Sequence, residues 1–207
     1  MSRKEDIIYA TLELAAENGL KAVTLSQIAD RVGIRKPSLY NHFKSKEEIV
    51  NEMYVFLREQ ARSSREAPAA DPAAMFAGKT LSEILLMTYR QYAGFIANAD
   101  MLRFLKVIYS ERSTSPTAAQ IVLEETERMT SATKGLFYAL VVHGKMRNNA
   151  VDTAAVSFTM TIHSLVDKYM DMVTAGRIDF SALAEVPQEV REYIVWFSEI
   201  MEADNNG

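Results

Sequence analysis

The sequence predicts an all-α protein of about nine helices, in which a three-helix domain at residues 1–50 precedes a larger helical domain at residues 51–207. Apolar residues recur at helical spacing along nearly the whole chain, and the alternation typical of strands is almost absent. Four Ser/Thr-x-x-Glu/Gln capping boxes precede such runs, and each can satisfy backbone donors in the first turn of a helix. Because 48% of the 207 residues are hydrophobic, the chain can bury a substantial core.

Helix starts and stops can be assigned along the first 65 residues. Three helices are predicted to begin at the capping boxes Ser2/Glu5, Thr24/Gln27 and Ser45/Glu48. Gly19 is expected to form a left-handed cap at the end of the first helix, and Gly33 is expected to end the second. Pro37 suits the first turn of a short third helix, and the helix after it is predicted to end near Arg65.

The C-terminal domain contains a segment, residues 66–79, whose two prolines, many alanines and one glycine predict a linker. The fourth capping box, Thr80/Glu83, then opens a set of five helices predicted at residues 81–97, 101–112, 116–143, 153–174 and 187–202. The expected N-caps are Asp100, Ser115 and Asp152, and the expected stops are Gly144 and Gly176.

Composition excludes several classes of site. The chain has no cysteine, which removes disulfides, thiolate zinc sites and cysteine nucleophiles. No apolar signal core follows residues 1–6, and the longest apolar run, Leu136–Val142, is far too short to span a bilayer. We therefore expect a soluble, cytoplasmic protein that does not contact membranes.

Charge is distributed unevenly along the chain. The formal net charge is −4, but the segment from Lys21 to Lys46 contains six basic residues and one acidic residue, Asp30. This segment therefore carries +5, and the rest of the chain carries −9. A basic patch on an acidic protein suits a module that faces phosphates.

Two short helices, joined by a glycine-containing turn and surrounded by basic residues, are typical of a DNA-binding helix-turn-helix. Its second helix has to offer hydrogen-bonding groups to base edges in a major groove about 12 Å wide. Within residues 35–43, Leu39 and Phe43 lie one turn apart and can anchor this helix to the core. The side chains left to point outward are Arg35, Lys36, Ser38, Asn41 and His42.

One stretch has a specific resemblance. The sequence TLSQIADRVGI at residues 24–34, running into KPSLYNHFKSKEEI at residues 36–49, resembles the signature of the TetR family of bacterial transcriptional regulators. The resemblance covers about residues 5–50 and includes the Leu-Tyr-x-His-Phe core and the Ser-Lys-Glu after it. Beyond residue 50, the chain is similar to the family only in its length and helical order.

The resemblance implies a role for each matching residue. Positions that hold the phosphate backbone correspond to Thr24, Tyr40, His42 and Lys46. Positions that face bases or lie beside them correspond to Ser26, Lys36, Ser38 and Asn41. Arg35 departs from the family pattern, because the family often has a serine or a similar small cap there. We group Arg35 with the base contacts, although a phosphate contact stays open.

The resemblance also implies a homodimer that binds a palindromic operator in double-stranded DNA and is released by a small-molecule effector. Repression is the family's usual mode, and activation stays open. The helix that begins at Lys46 is expected to act as a lever between effector and DNA. A largely apolar effector is expected in a pocket formed by Tyr92, Phe95, Phe104, Met129 and Phe137, although such residues are also ordinary core residues.

Dimerisation is predicted to use apolar stripes on the last two long helices. The residues assigned to this interface are Phe158, Ile162, Leu165, Tyr169, Ile194 and Phe197. The same stripes also suit an intramolecular core. His163 shares a helical face with Asp167 and Asp171, a spacing compatible with a metal, but we expect a hydrogen-bonded surface or interface there and no metal.

Two alternatives compete with a DNA-binding regulator. A helical enzyme or cofactor protein would need a chemical signature, and the sequence has no Glu-x-x-His pair, His-Glu-x-x-His motif, phosphate loop or nucleophile elbow. We therefore expect no catalytic residues and no cofactor. A regulator that acts only through protein partners is disfavoured by the intact basic face of residues 24–46.

Overall fold

The computed structural model describes residues 2–63 and 71–203, and within these ranges it contains ten α-helices, two short 3₁₀ turns and no strand. This confirms the all-α prediction. In chain order the helices are α1 Arg3–Asn18, α2 Leu25–Val32, α3 Lys36–Leu39, α4 Lys46–Ser63, α5 Pro72–Phe76, α6 Leu81–Ile96, α7 Ala99–Glu111, α8 Pro116–Val142, α9 Val151–Thr174 and α10 Gln188–Met201. The 3₁₀ turns are Leu20–Ala22 and Phe180–Ala184.

The chain divides into two compact units. The first comprises Met1–Ala67 and Asn98–Val122, and the second comprises Pro68–Ala97 and Leu123–Gly207. The functional boundary predicted at residue 50 stays a prediction, since the first compact unit also includes α4 and α7.

In the first unit, α1 is the central helix. It packs against α2, α4 and α7, while α3 packs on α2 and α4 on α7. The apolar stripe of α1 is fully buried, with Ile7 and Leu12 inaccessible to solvent. The Thr11 hydroxyl, also buried, donates to the Ile7 carbonyl oxygen at 2.8 Å, so it adds no unsatisfied polar group to this core.

In the second unit, α6 packs against α10 and the 3₁₀ turn Phe180–Ala184, and α9 packs against the same two elements. Its core includes an aromatic cluster. The ring of Phe137 lies 5.5 Å from that of Phe158 and 5.6 Å from that of Phe197, centroid to centroid, and Phe158 and Phe197 are 4.9 Å apart. Contacts at these separations add to the stabilisation from area burial alone.

Most helix starts were predicted correctly, because the capping signals are local. Reciprocal capping boxes are present at Ser2/Glu5, Thr24/Gln27 and Thr80/Glu83. At the remaining box, the Ser45 hydroxyl accepts from the Glu48 N–H at 3.2 Å, but the Glu48 carboxylate accepts from the backbone N–H of Lys44. In this box the Glu48 carboxylate therefore accepts from the residue before Ser45 and not from the Ser45 N–H, as a reciprocal box would require.

Several boundaries differ from the prediction. Helix α5 lies inside the predicted linker, where the Asp71 carboxylate accepts from the Ala73 N–H and starts a single helical turn. The remainder of that linker, residues 66–70, lies outside the described residues, as does Arg65. Asn98, rather than Asp100, caps α7, because its side chain reaches the N–H groups of residues 100 and 101.

Two further caps were predicted wrongly. Ala150, in the left-handed region at φ 49°, precedes α9 where Asp152 was expected to be the cap, so α9 begins before Asp152. Gly19 has a positive φ of 79° but an extended ψ of 142°, so it leads the chain into the 3₁₀ turn instead of forming a left-handed cap. Within the described ranges, no helix combines the length and hydropathy that crossing a membrane requires.

Candidate nucleic-acid interface

The Arg31 guanidinium forms two ion pairs that connect α2 to α1. Arg31 on α2 places one guanidinium nitrogen 3.0 Å from the Glu13 carboxylate and another 3.2 Å from the Glu17 carboxylate, both on α1. The hydrogen bond with Glu17, followed by that with Glu13, raises the pKa of Arg31. Arg31 therefore orients α2 on α1, and its charge is already compensated within the protein.

The turn between α2 and α3 depends on Gly33. Its backbone is left-handed, at φ 71° and ψ 34°, and its N–H donates to the carbonyl oxygens of Ala29 and Asp30. The Ile34 N–H also returns to the Ala29 carbonyl oxygen, at 2.9 Å. These bonds satisfy the last carbonyls of α2 and turn the chain sharply toward α3.

Helix α3, which was predicted within residues 35–43 as the second helix of the helix-turn-helix, is shorter than that range. Regular α-helix covers only Lys36–Leu39, and the chain then continues as a turn in which the N–H groups of His42 and Phe43 both donate to the Leu39 carbonyl oxygen. Arg35 occupies the N-cap position without a side-chain capping bond. Its guanidinium is therefore not committed to the helix terminus.

Two buried side chains anchor α3 and the turn after it to the core, as the sequence predicted. Leu39 is 1% exposed and Phe43 is 2% exposed. The Lys4 ammonium on α1 also lies 5.3 Å from the centroid of the Phe43 ring, a cation–π distance. Anchoring one face in this way directs the opposite face of the turn outward.

All nine residues assigned to DNA are at least partly accessible. Thr24, Ser26, Arg35, Lys36, Tyr40 and Asn41 are exposed, whereas Ser38, His42 and Lys46 are half-exposed. Tyr40 is 51% exposed, which is unusual for an aromatic side chain on a structured turn. The structure therefore places these groups on the surface, and their individual contacts with bases and phosphates stay predictions.

Two of the assigned phosphate contacts already have internal partners. The Lys46 ammonium donates to the Leu20 carbonyl oxygen at 2.7 Å and lies 3.5 Å from that of Lys21. The Thr24 hydroxyl donates to the Gln27 side chain at 2.8 Å while it accepts from the Gln27 N–H. Lys46 thus fastens the start of α4 to the 3₁₀ turn after α1, a role that its position in the sequence did not reveal.

The remaining basic residues supply the positive field of this surface. Lys21, Arg35, Lys36 and Lys44 are exposed, and none forms an ion pair with another described residue. The sequence analysis included Arg31 among the basic residues of this surface, because the sequence shows the charge of Arg31 but not its ion-pair partners. The spacing of Glu13 and Glu17, one turn apart on α1, was the available signal that a cation would be bound there.

The residues assigned to an effector pocket are divided between the two units. Phe104 is buried in the first unit, with its ring centroid 6.3 Å from that of Tyr54. The other four lie in the second unit, where Phe137 belongs to the aromatic cluster and Tyr92, Phe95 and Met129 are half-buried. A separate small cleft in the second unit includes Tyr169, which sequence reasoning had assigned to the dimer interface.

Three of the six residues assigned to the dimer interface are buried within their own chain. Ile162, Ile194 and Phe197 are 8%, 0% and 5% exposed, so they form the core of their own protomer. Phe158, Leu165 and Tyr169 are half-buried. The apolar side chains that α9 and α10 do present to solvent are Val156, Met160, Val195, Trp196 and Ile200.

The carboxylates near His163 do not form a metal-binding group. His163 Nε2 lies 3.8 Å from the Asp167 carboxylate one turn later on α9. Within the part of the chain that the structure describes, no cluster of three or more such side chains is arranged to hold a metal ion.

Two family profiles match this chain. The profile of bacterial regulatory proteins of the tetR family matches residues 7–53, and that of the AefR-like transcriptional repressor C-terminal domain matches residues 83–194. The HTH-type transcriptional repressor KstR2 of Mycolicibacterium smegmatis is 46% identical over 52 residues, 25% of each chain. The class C tetracycline repressor of Escherichia coli is 35% identical over 49 residues, 24% of this chain and 22% of its own length.

The fold is shared with solved structures along nearly the whole chain. A TetR-family regulator from Mesorhizobium loti has a TM-score of 0.69 at 17% identity and covers 97% of both chains. A regulator from Saccharomonospora viridis, solved in complex with choline, has a TM-score of 0.65 at 16% identity and covers 98% of both. Since the C-terminal profile covers more than half of the chain and adjoins a matching helix-turn-helix, this protein belongs to the TetR family of bacterial transcriptional regulators and is a DNA-binding regulator, not an enzyme.

Proposed function

We propose that this regulator is a homodimeric repressor that binds a palindromic operator and is released from it by a small-molecule effector. The observation that carries the proposal is the exposed basic surface of residues 24–46, seated on the buried Leu39 and Phe43. Relatives that share this segment include proteins named as repressors, KstR2 and the tetracycline repressors. One relative, FasR of Mycolicibacterium smegmatis, is named as an activator, so the sign of regulation rests on the more numerous repressors.

In this proposal, contacts with bases and contacts with phosphates have different roles. Ser26, Arg35, Lys36, Ser38 and Asn41 read base edges, because side-chain donors and acceptors can distinguish base pairs in the major groove. The phosphate contacts come from Thr24, Tyr40, His42 and Lys46, and they set register without carrying sequence information. The free guanidinium of Arg35 supports its assignment to a base, since Arg bidentate to guanine is the commonest specific contact.

Dimerisation, in this proposal, uses the solvent-facing side of α9 and α10 instead of the stripes named from the sequence. Val156 and Met160 lie one turn apart on α9, and Trp196 and Ile200 lie one turn apart on α10. These four side chains are between 38% and 55% exposed. Large exposed apolar side chains grouped on two neighbouring helices support a protein–protein interface, because monomeric proteins rarely leave such groups open to water.

A dimer explains why the operator would be a palindrome. Two copies of one reading helix, related by a two-fold axis, read inverted half-sites separated by one helical turn of DNA, about 34–36 Å, or a multiple of it. Because the proposed target is chromosomal DNA, the proposal includes a cytoplasmic location for the protein.

The effector is proposed to be a small, largely apolar molecule bound in the second unit, with Tyr92, Phe95, Met129 and Phe137 as lining residues; Phe104, which lies in the first unit, is not part of this proposed site. The Saccharomonospora viridis protein was solved with choline, which supports small-molecule binding in this fold. An allosteric coupling of about 1–3 kcal/mol would change operator affinity about 5–150-fold, and operator DNA would weaken effector binding by the same factor.

A gel-shift titration on the DNA upstream of the gene, across a salt series, tests the DNA-binding part. We expect a steep loss of affinity with salt, as log K falls by about 0.9 per neutralised phosphate for each tenfold rise in salt. Inserting half a helical turn, about 5 base pairs, between the half-sites should abolish tight binding. A regulator that acts only through protein partners would leave this DNA unshifted at every salt concentration.

A further inference from the structure

A cleft that opens to solvent lies in the first unit, between the first half of α4, the 3₁₀ turn after α1 and the junction of α7 with α8. Its volume is about 250 Å³. This volume is close to the lower end of the roughly 300–1,000 Å³ that is typical of small-molecule sites, so the cleft has room for a small ligand. Its polar walls include Lys21, Lys46, Glu47, Asn51, Tyr54 and Glu111.

Two of the four charged side chains that line the cleft are already compensated within the protein. The Lys46 ammonium donates to the Leu20 carbonyl oxygen at 2.7 Å. The Glu47 carboxylate accepts from its own backbone N–H and from the Ser45 hydroxyl, and these bonds lower the pKa of Glu47, with the charge of Lys46 adding to the shift and burial opposing it. Both charges therefore serve the start of α4.

The Glu111 carboxylate, by contrast, forms no hydrogen bond or ion pair with another described residue. The neighbouring cation, Arg112, is engaged elsewhere, since its guanidinium carbon lies 4.5 Å from the centroid of the Tyr109 ring. Burial, with the nearby Glu111 carboxylate adding to the shift, raises the pKa of Tyr54 to about 12, so the Tyr54 hydroxyl stays protonated near neutral pH. One end of the cleft thus combines an uncompensated carboxylate with a hydroxyl.

Lys21 provides an uncompensated cation at the other end. Its side chain is exposed and forms no ion pair with another described residue. The Lys21 carbonyl oxygen is 3.5 Å from the Lys46 ammonium, which places Lys21 beside the first turn of α4. Tyr54 lies eight residues after Lys46 on the same helix, a rise of about 12 Å. The two uncompensated charges are therefore of opposite sign and belong to opposite ends of the cleft.

We propose that this cleft binds a small zwitterionic molecule, such as an ω-amino acid, whose ammonium contacts Glu111 and the Tyr54 hydroxyl and whose carboxylate contacts Lys21. A ligand with a single charge leaves one of these two ends without a partner. Leu20 and Val50, which also line the cleft, favour a short hydrocarbon segment between the charged groups. The site is separate from the effector site proposed in the second unit, and a bound ligand would connect α4 to the α7–α8 junction within the unit that contains the helix-turn-helix.

The test compares 6-aminohexanoate, hexylamine and hexanoate, which share one chain length and differ in their charged ends. Their binding to the full chain, without DNA, is measured by ligand-observed NMR at low salt, where screening is weakest. We expect the wild type to bind 6-aminohexanoate about fivefold more tightly than either singly charged probe, as suits partly exposed ion pairs. Glu111→Gln should remove the preference over hexanoate, and Lys21→Met should remove the preference over hexylamine.

The matched control is Glu52→Gln, at an exposed residue of α4 that does not line the cleft, and it should bind all three probes as the wild type does. Tyr54→Phe, which keeps the ring beside Phe104, should weaken 6-aminohexanoate binding about threefold. Thermal melts establish that each variant is folded. Equal affinity of the wild type for the three probes would overturn the proposal, as would an unchanged preference in Glu111→Gln or Lys21→Met. So would the absence of 6-aminohexanoate binding at millimolar concentration.

Discussion

Replacing Lys46 by methionine separates two roles that this residue could have. Methionine keeps most of the aliphatic chain but removes the ammonium that donates to the Leu20 carbonyl oxygen at 2.7 Å. The second carbonyl, that of Lys21 at 3.5 Å, is too distant to contribute much. We therefore assign the effect to one charge-assisted hydrogen bond between the start of α4 and the turn after α1.

The expected loss of folding free energy follows from that bond. Hydrogen bonds to charged groups contribute about 1.5–3 kcal/mol, and the half-exposed position of Lys46 favours the lower end, about 1.5 kcal/mol. For a chain of this size, such a loss lowers the melting temperature by about 3–6 °C. Thermal melts at one fixed protein concentration measure it, because an oligomer's melting temperature depends on concentration.

DNA binding by Lys46→Met distinguishes two roles of Lys46. In the first, Lys46 is a clamp, meaning that its ammonium joins the start of α4 to the turn after α1. In the second, it contacts a DNA phosphate directly. If Lys46 acts chiefly as a clamp, operator affinity falls but the slope of log K against log salt stays near that of the wild type. Lys44→Met is the matched control, since the Lys44 side chain is exposed and has no partner among the described residues. It should keep the wild-type melting temperature and lose about 0.9 of slope for each phosphate contact removed. A Lys46→Met protein with wild-type melting and a shallower slope would refute the clamp.

Three further variants test other parts of the structure. Gly33→Ala should cost about 1–2 kcal/mol and lower the melting temperature by several degrees, because φ is +71° although an added Cβ would meet no atom within 4 Å. Lys36→Ala should change half-site preference in a binding-site selection more than it changes the salt slope. Trp196→Glu should shift the protein toward monomer in sedimentation and weaken operator binding, whereas Val142→Glu, at a residue on α8 that is 82% exposed against 55% for Trp196, should do neither.

Each of these has an outcome that would count against it. A Gly33→Ala protein as stable as the wild type would show that the left-handed turn is not required. If Lys36→Ala weakened all sequences equally, Lys36 would be a phosphate contact. A Trp196→Glu protein that sediments as a dimer would exclude the solvent-facing side of α9 and α10 as the interface.

The features predicted correctly are those set by residues close together in the chain. Capping boxes, the glycine that ends α2 and the apolar spacing of Leu39 and Phe43 all act within about one helical turn. The family signature lies in the same continuous stretch. For this reason the all-α class, most helix starts and the outward face of the reading domain could be read before any packing was known.

The features that only the tertiary structure decided join residues far apart in the chain. Lys46 meets Leu20, and Arg31 meets Glu13 and Glu17, because packing of α1 against α2 and α4 brings them together. A capping signal likewise could not choose between Asn98 and Asp100, since both can cap a helix and the backbone path selects one.

The two apolar stripes of the last helices show the same limit most clearly. An amphipathic pattern states that a face will be buried, but it does not state whether another part of the same chain or a second protomer covers it. In the structure, Ile194 and Phe197 face their own core, while Trp196 on the same helix remains 55% exposed. Hydrophobic burial depends on which surfaces meet, and that is a property of the assembled helices rather than of any one of them.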